Sequence, residues 1–440
     1  MKRYERYKPS GIQWIGEIPD HWEVKKLKYV GQAQLSGVDK KNEPDERKVL
    51  LCNYIDVYKN EFIDDNLSFM EASATENEIA KFALNRGDVL ITKDSETPDD
   101  IANPAFVRVE KVEIICGYHL AHIRTNRDIM IGEYLFRLFQ SPDFNARFTV
   151  NAHGITRYGL SSDDIKSTMV LLPTVNEQTD ISNYLDRKTA QIDDLIAKKQ
   201  KLIDLLNEEK TAIINQAVTN GLNPNAPMKD SGIPWLGKMP ANWEVKRLKY
   251  LGNIKYGLGI PPKPKKDGLP LIRATDIQKG EIIDGEMVSI DPEDVPYDRD
   301  PVLKKNDIIV VRSGAYTGDS AIIPQKYEGA VAGYDMVVRI TKANAVFISY
   351  ALLSHYVLKL QIYQHRLRAA QPHLNREELG ETIVLLPNSG EQEDIVNFIR
   401  AKTFDIRDTI SRIQREIELL QEYRTVLISE AVTGKIDVRI

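Results

Sequence analysis

At 440 residues, 42% of them hydrophobic and 28% charged, the chain has the composition of a folded protein with room for two or three cores, not of a disordered one. A formal net charge of −5 speaks weakly against a nucleic-acid partner, yet phosphate responds to the local field, and acidic helices can coexist with basic faces. No apolar run has the length of a membrane span, the opening MKRYERYKP lacks the apolar segment of a secretion signal, and Cys52 and Cys116 are too few for a disulfide scaffold or a zinc site; a reducing, cytoplasmic setting is expected.

In chain order, the first landmark is a box at 10–31, SGIQWIGEIPDHWEVKKLKYVG, which returns at 231–252 as SGIPWLGKMPANWEVKRLKYLG. Fourteen of the 22 positions are identical and all four tryptophans lie in the two copies, so the chain is an internal duplication. The box holds no nucleophile with a partnered base and reads as a structural clasp built on Trp14/Trp235 and Trp22/Trp243. A variable stretch follows. Its strand-like runs are 49–57, 88–92, 106–116 and 122–125, with a helix over 133–139 and a polar segment over 153–160.

Next comes LLPTVNEQ at 171–178, opening one long helical pattern. Thr174 and Glu177 have capping-box spacing and Gly221 is a natural stop. Apolar residues recur at Ile181, Leu185, Ile192, Leu195, Leu202, Leu206 and Ile213, a heptad seam once Lys188, Lys199 and Glu209 are counted on it. Residues 222–230, rich in Asn and Pro, read as a linker.

The second half repeats this order with little identity in its variable stretch. Strands are expected at 271–277, 307–312, 321–324 and 336–340, and a helix at 346–361. LLPNSGEQ at 385–392 opens the second long helix, with Asn388 and Glu391 repeating the cap. Its seam runs through Ile395, Ile399, Ile406, Ile410, Ile413, Ile417, Leu420, Leu427 and Ala431. The expectation is an α+β chain: two similar mixed domains, 1–170 and 231–384, and two long helices, 171–221 and 385–440, paired antiparallel as a coiled coil about a pseudo-twofold axis. A helix of about 44 residues is roughly 65 Å long. The stripes are wider than a bare seam, with Leu205, Ile214, Tyr423 and Ile428 also apolar, which leaves a face for partner subunits.

A search for chemistry finds little. There is no phosphate-cradling G-x-x-x-x-G-K-[ST] loop, Gly257-Leu-Gly259 is too short for a nucleotide fingerprint, and Asn103-Pro104-Ala105 departs from the Asn-Pro-Pro-aromatic run with which methyltransferases grip a base. The seven histidines lack metal-ligand spacing, and the acidic run 291–300 and Glu208-Glu209-Lys210 read as solvated charge. What both variable stretches carry instead is polar and aromatic residues at equivalent loop positions. In the first these are Lys93, Ser95, His119, His122, Arg124, Thr156, Arg157 and Tyr158. In the second they are Tyr256, Lys263, Lys265, Lys266, Arg312, Ser313, Tyr316, Gln371, His373, Asn375 and Arg376. Such side chains bond to base edges and phosphates of DNA.

The two Leu-Leu-Pro-x-x-x-Glu-Gln entries, each after a Trp-Glu-Val box and a divergent domain, make nearly the whole chain resemble the specificity subunit of type I restriction–modification systems. That resemblance implies two target recognition domains, each reading half of a split, asymmetric site in double-stranded DNA, and a helix pair that sets the spacer. It implies a subunit with no activity or cofactor of its own. Its partners would be two modification subunits, which use S-adenosylmethionine to methylate adenine, and restriction subunits that hydrolyse ATP. Two other readings remain open: a coiled-coil scaffold whose variable domains bind proteins, which would show no salt-sensitive DNA retention, and an enzyme with an unfamiliar site, which would modify or cut DNA alone.

Overall fold

The computed structural model describes residues 2–109, 114–260, 262–278, 280–283, 285, 287–297, 300–366 and 372–439. The chain forms two compact units, Met1–Lys199 with Gln414–Ile440, and Gln200–Ile413.

In the first unit a five-stranded mixed sheet takes the strands in the order Gly31–Leu35, Leu120–Thr125, Val89–Thr92, Pro104–Val107, Phe62–Ile63; only the last pair is parallel. A three-stranded sheet sets Arg47–Cys52 between Ile114–Cys116, parallel, and Met70–Ala74, antiparallel. The second unit repeats the start of this plan. Gly252–Tyr256 pairs with Met336–Ile340, which pairs with Ile308–Val310, all antiparallel, and Ser320–Ile322 closes the edge. Each unit pins its main sheet with one buried ion pair at the same place. Arg124 reaches Asp88 at 2.7 and 2.9 Å, and Arg339 reaches Asp307 at the same distances. Burial pushes the Asp88 carboxyl up, but bonds from Arg124 and His122 outweigh it and hold the acid below its usual range. His122, itself buried, and the half-exposed Arg124 are both engaged with Asp88 in holding the sheet.

Several strand expectations shift. The run 49–57 is strand only to Cys52: Asp56 accepts from the Asn53 N–H at 2.7 Å and starts a short helix, Tyr54–Lys59. The run 106–116 divides between two sheets, with 110–113 outside the described residues. Near 271–277 the strand is Pro264–Ile272, followed by a tight turn, Ala274–Asp276, closed by the Asp276 carboxylate on the Arg273 N–H. The helix expected at 346–361 breaks after Leu353, where Ser354 adopts extended backbone (ψ 155°) and its hydroxyl bonds to the Ala351 carbonyl. This apolar pair of helices carries Phe347, Ile348, Ala351 and Leu352 in the core of the second unit. Among the described residues no single helix is long and apolar enough to cross a membrane.

The long helices are Val175–Asn220 and Ser389–Val432. Within the first unit, Arg424 meets Asp193 at 2.9 Å and Lys199 pairs with Glu416, so the two run antiparallel. Within the second, Ile214, Ala217 and Val218 share a core with Ile395, Val396 and Ile399. The second helix buries the expected line: Ile395, Ile399, Ile406, Ile413 and Leu427 are buried, with Ile410, Ile417 and Leu420 half-buried. The first helix buries Ile181, Leu185 and Ile192 and half-buries Leu206 and Ile213, but Leu195 and Leu202 are exposed. Ile196 and Ile203 face inward in their place. Both flanks of the shared line through 185, 192, 199 and 206 are apolar, so periodicity alone does not choose between them; the seam of the other helix does.

The box and the helix entry turn out to be two halves of one contact. Strand Glu23–Lys26 pairs with Met169–Leu172, as Glu244–Arg247 pairs with Ile383–Leu386. The indole N–H of Trp22 donates to Glu177 at 3.1 Å and that of Trp243 to Glu391 at 2.9 Å; both rings are fully buried. The next residue bridges twice. Gln178 accepts from the Ile131 N–H and donates to the Pro173 carbonyl, both at 2.9 Å, and Gln392 does the same with Asn344 and Pro387, both at 2.8 Å. The capping box is thus half made. Thr174 and Asn388 accept from the N–H of Glu177 and Glu391 at 3.4 and 3.0 Å, while the glutamate carboxylates turn to the tryptophans. Trp14 and Trp235, read with them as a clasp, are instead 51% and 43% exposed.

Candidate nucleic-acid interface

In the first unit, the backbone leaving strand Val89–Thr92 carries Lys93-Asp94-Ser95, and Asp94–Ser95 pairs antiparallel with Tyr158–Gly159. Lys93 also takes the His119 carbonyl at 3.0 Å and gives its own to the Leu160 N–H at 2.8 Å. Those bonds bring five of the eight expected residues, Lys93, Ser95, His119, Arg157 and Tyr158, into one neighbourhood, with Thr156 exposed beside them. Asp94 is the hub: its carboxylate lies 2.8 Å from His119 Nδ1 and 2.8 Å from Arg157 Nη2. Ser95 is buried, its hydroxyl turned onto the Thr97 carbonyl, so it shapes the loop and presents nothing outward. His119 holds a positive φ of 71°, the strain of a tight turn. Around it stand aromatics that periodicity does not reveal: Tyr118 with its ring 3.8 Å from that of His119, Tyr54 edge-on at 6.5 Å, and Tyr58 stacked on Tyr54 at 5.5 Å. The Lys93 ammonium sits 4.9 Å from the Tyr118 ring centre.

The second unit builds its counterpart from the same place in the sheet. Arg312 lies where the first unit has Lys93, and its guanidinium is 3.5 Å from the Tyr334 ring centre and 4.7 Å from that of Tyr256. Ser313 bridges His373, the Leu374 N–H bonds to the Arg312 carbonyl at 2.8 Å, and Gly314 bonds to the Pro372 carbonyl at 3.2 Å. The Tyr256 hydroxyl accepts the Arg376 N–H at 2.9 Å. These contacts gather Tyr256, Arg312, Ser313, His373, Asn375 and Arg376, with Tyr316 exposed nearby. Asn375 is spent as the cap of helix Arg376–Glu381, and Arg376 is folded onto Glu377 at 2.9 Å. Lys265, near the start of strand Pro264–Ile272, is bonded to Asp291 at 2.9 Å, and the backbone N–H of Lys263 just before that strand meets Asp294. Gln371 lies outside the described residues. Beside Arg312, a cavity of about 390 Å³ is lined by Leu258, Ile260, Leu271, Ser313, Tyr334 and Asp335. Burial raises the Asp335 carboxyl to about 6.

One signal missed in the sequence is the Gly-Tyr pair that precedes the same strand in both halves, Gly117-Tyr118 and Gly333-Tyr334. Each tyrosine receives the cation from the neighbouring strand. Both surfaces therefore combine a cation, aromatic faces and loop hydroxyls, the chemistry of contact with bases and phosphates rather than of bond breaking. Among the described residues no group of His, Cys, Asp and Glu is arranged to hold a metal ion.

Comparison with known proteins decides the family. Residues 19–205 and 240–421 match the type I restriction modification DNA specificity domain. The chain belongs to this family. As a member of the type I specificity family, it is 24% identical over 437 residues to the type I restriction enzyme MjaVIII specificity subunit of Methanocaldococcus jannaschii, covering 96% of this chain and 94% of that one. It is 27% identical over 308 residues to the EcoBI specificity subunit of Escherichia coli, covering 67% and 64%. Its fold is that of a chain solved in work on complex assembly and conformational transition of the type I R-M system: TM-score 0.61 at 17% identity, over 95% of this chain and 99% of that chain.

Proposed function

We propose that this specificity-family chain reads a bipartite, asymmetric DNA site, one half with each unit. The recognition domains are 1–170 and 231–384, the long helices 171–221 and 385–440 set the spacer, and 222–230 links the halves. The observation that carries the reading is the contrast between what repeats and what diverges. The Trp22–Glu177 and Trp243–Glu391 contacts and the Asp–Arg pairs recur residue for residue. The surfaces at matching sheet positions carry Lys93, His119 and Arg157 in one unit and Tyr256, Arg312 and His373 in the other. One fold presenting two different sets of donors and acceptors suits two different half-sites.

The reactive steps belong to partners: two modification subunits that bind S-adenosylmethionine and methylate adenine, and restriction subunits that hydrolyse ATP. Their docking is supported by apolar side chains left exposed on the long helices. In the first unit these are Leu195, Leu419, Tyr423 and Val426; in the second, Leu202, Leu205, Phe398 and Phe404. The chain is assigned to the cytoplasm, where such partners and DNA meet.

Methylation mapping in cells carrying this chain with its modification subunits tests the reading. A split motif with unlike halves is expected. One heptad added within 195–207 and at the matching point of the second long helix should lengthen the spacer and keep both halves. An unchanged spacer refutes the ruler, and DNA retention that ignores salt refutes DNA as the ligand in favour of a protein.

A further inference from the structure

We infer that Arg312 reads the O6/N7 edge of a guanine in the half-site taken by the second unit, an inference that rests on the DNA-reading assignment above. Arg312 is fixed before any ligand arrives. Its N–H donates to the Asp335 carboxylate at 3.2 Å, its carbonyl accepts from Leu374 at 2.8 Å, and the next residue is bridged to His373. Its guanidinium lies against Tyr334 and Tyr256, and the hydroxyl of Tyr256 is in turn held by the Arg376 N–H.

Among the described residues the Arg312 guanidinium has no carboxylate at ion-pair distance, although the buried Asp335 charge acts on it through space. Arg124, Arg137, Arg157, Arg273, Arg339, Arg376 and Arg424 each meet a carboxylate. Among the described residues the Arg312 Nε is also buried without any acceptor, a state that Arg147 shares. A guanidinium stacked on aromatic rings loses little further freedom when its two terminal nitrogens bind, and those two donors match the acceptor pair that only guanine offers in the major groove. A phosphate could accept the same fork, but the comparison between units argues for a base. The matching position in the first unit is Lys93, a point charge over Tyr118 at 4.9 Å. Backbone phosphate is the same in every sequence and gives no reason to exchange a fork for a point charge; a change of base does.

The test uses the chain assembled with its modification subunits. Methylation mapping first defines the wild-type motif. Duplexes of that motif then carry 7-deazaguanine, which lacks N7, at each guanine in turn. We expect one such replacement, confined to one half-site, to weaken wild-type binding about tenfold. Arg312→Ala should lose that sensitivity, and Arg312→Lys, whose ammonium can still reach O6 and N7 but without a fixed fork, should keep part of it, while both keep every preference in the other half-site. Either of two results overturns the inference: no guanine in the half-site relaxed by Arg312→Ala is sensitive to 7-deaza replacement, or Arg312→Ala weakens all duplexes equally and leaves the sensitivity in place, as a phosphate contact would. Methylation with no sequence preference in the wild type would overturn the DNA-reading assignment itself, and this inference with it.

Discussion

Glu177→Ala is the sharpest perturbation of the first unit that leaves the loops of its candidate interface untouched. Glu177 is 3% exposed; it accepts the Trp22 indole N–H at 3.1 Å and lies 2.9 Å from His21 Nε2. Removing the carboxylate leaves the N–H of a fully buried tryptophan without an acceptor, a cost of about 1–3 kcal/mol. It also removes a negative charge from the first turn of a long helix, worth about 0.3–1 kcal/mol. Together these give about 3 kcal/mol, or roughly 6–12 °C in the melting of a unit of this size. Glu177→Gln, which keeps an oxygen for the indole, should cost about 1 kcal/mol. Differential scanning calorimetry of the whole chain, compared with Glu391→Ala in the second unit, reads the effect. Each variant should move one transition and spare the other. The double variant Trp22→Phe/Glu177→Ala should show a coupling of about 1.5 kcal/mol or more. A Glu177→Ala shift under 1 kcal/mol, or a coupling under 0.5, would refute the claim that the glutamate is placed to meet tryptophan rather than to cap its helix.

Asp335→Asn tests a charge that works against folding. Burial holds this carboxyl near 6 against an ordinary value of 3.8, so its contribution is fully favourable below about 3.8 and is lost as pH rises through 6. At pH 7 the amide should stabilise the second unit by up to about 3 kcal/mol, and at pH 4 by almost nothing; urea denaturation at both pH values checks the sign. Asp88 has the opposite sense, its lowered value giving stability that falls away under acid, so the first unit should lose stability on acidification by that route. Arg137, 1% exposed and bonded to Asp186, Gln140 and Thr189, ties the first recognition domain to the long helix; Arg137→Ala should cost about 3–5 kcal/mol, read by thermal melting. Leu202→Lys with Leu205→Lys should leave melting within about 0.5 kcal/mol, since both side chains are exposed, yet abolish co-purification of modification subunits. Retained co-purification would remove that face from the docking surface.

The duplication, the two long helices and the order of the recurring strands were legible because each is carried by repetition or by a period sustained over many residues. Short-range detail was less so. Asn53-x-x-Asp56 ends the strand carrying Val49, Leu50 and Leu51, because a carboxylate able to bond back to the Asn53 N–H favours a helix start. Leu202 and Ile203 are both apolar, and only the partner helix decides which is buried. At the candidate interface, residue type and loop position named segments that the fold brings together, but not the direction of each side chain. Ser95 turns inward and Asn375 is consumed as a cap, because short polar side chains bond most readily to the backbone beside them. Tyr118 and Tyr334 escaped notice because a single aromatic before a strand has no period; the repeat of Gly-Tyr in both halves is the mark that distinguishes them.

That division has a physical origin in how duplicated domains diverge. A contact that closes on itself, such as an indole N–H on a glutamate carboxylate, loses stability if either partner changes alone, so both copies keep it. The Asp88–Arg124 and Asp307–Arg339 pairs obey the same constraint, since a buried charge stripped of its partner costs several kcal/mol. Lys93 and Arg312 obey neither. Each cation rests on a tyrosine face that accepts either side chain, so the exchange leaves the fold undisturbed while altering what the position can bond to outside. A position so arranged can change its external partner without a compensating change within the unit, and this is the property that a module reading different sequences in its two copies requires.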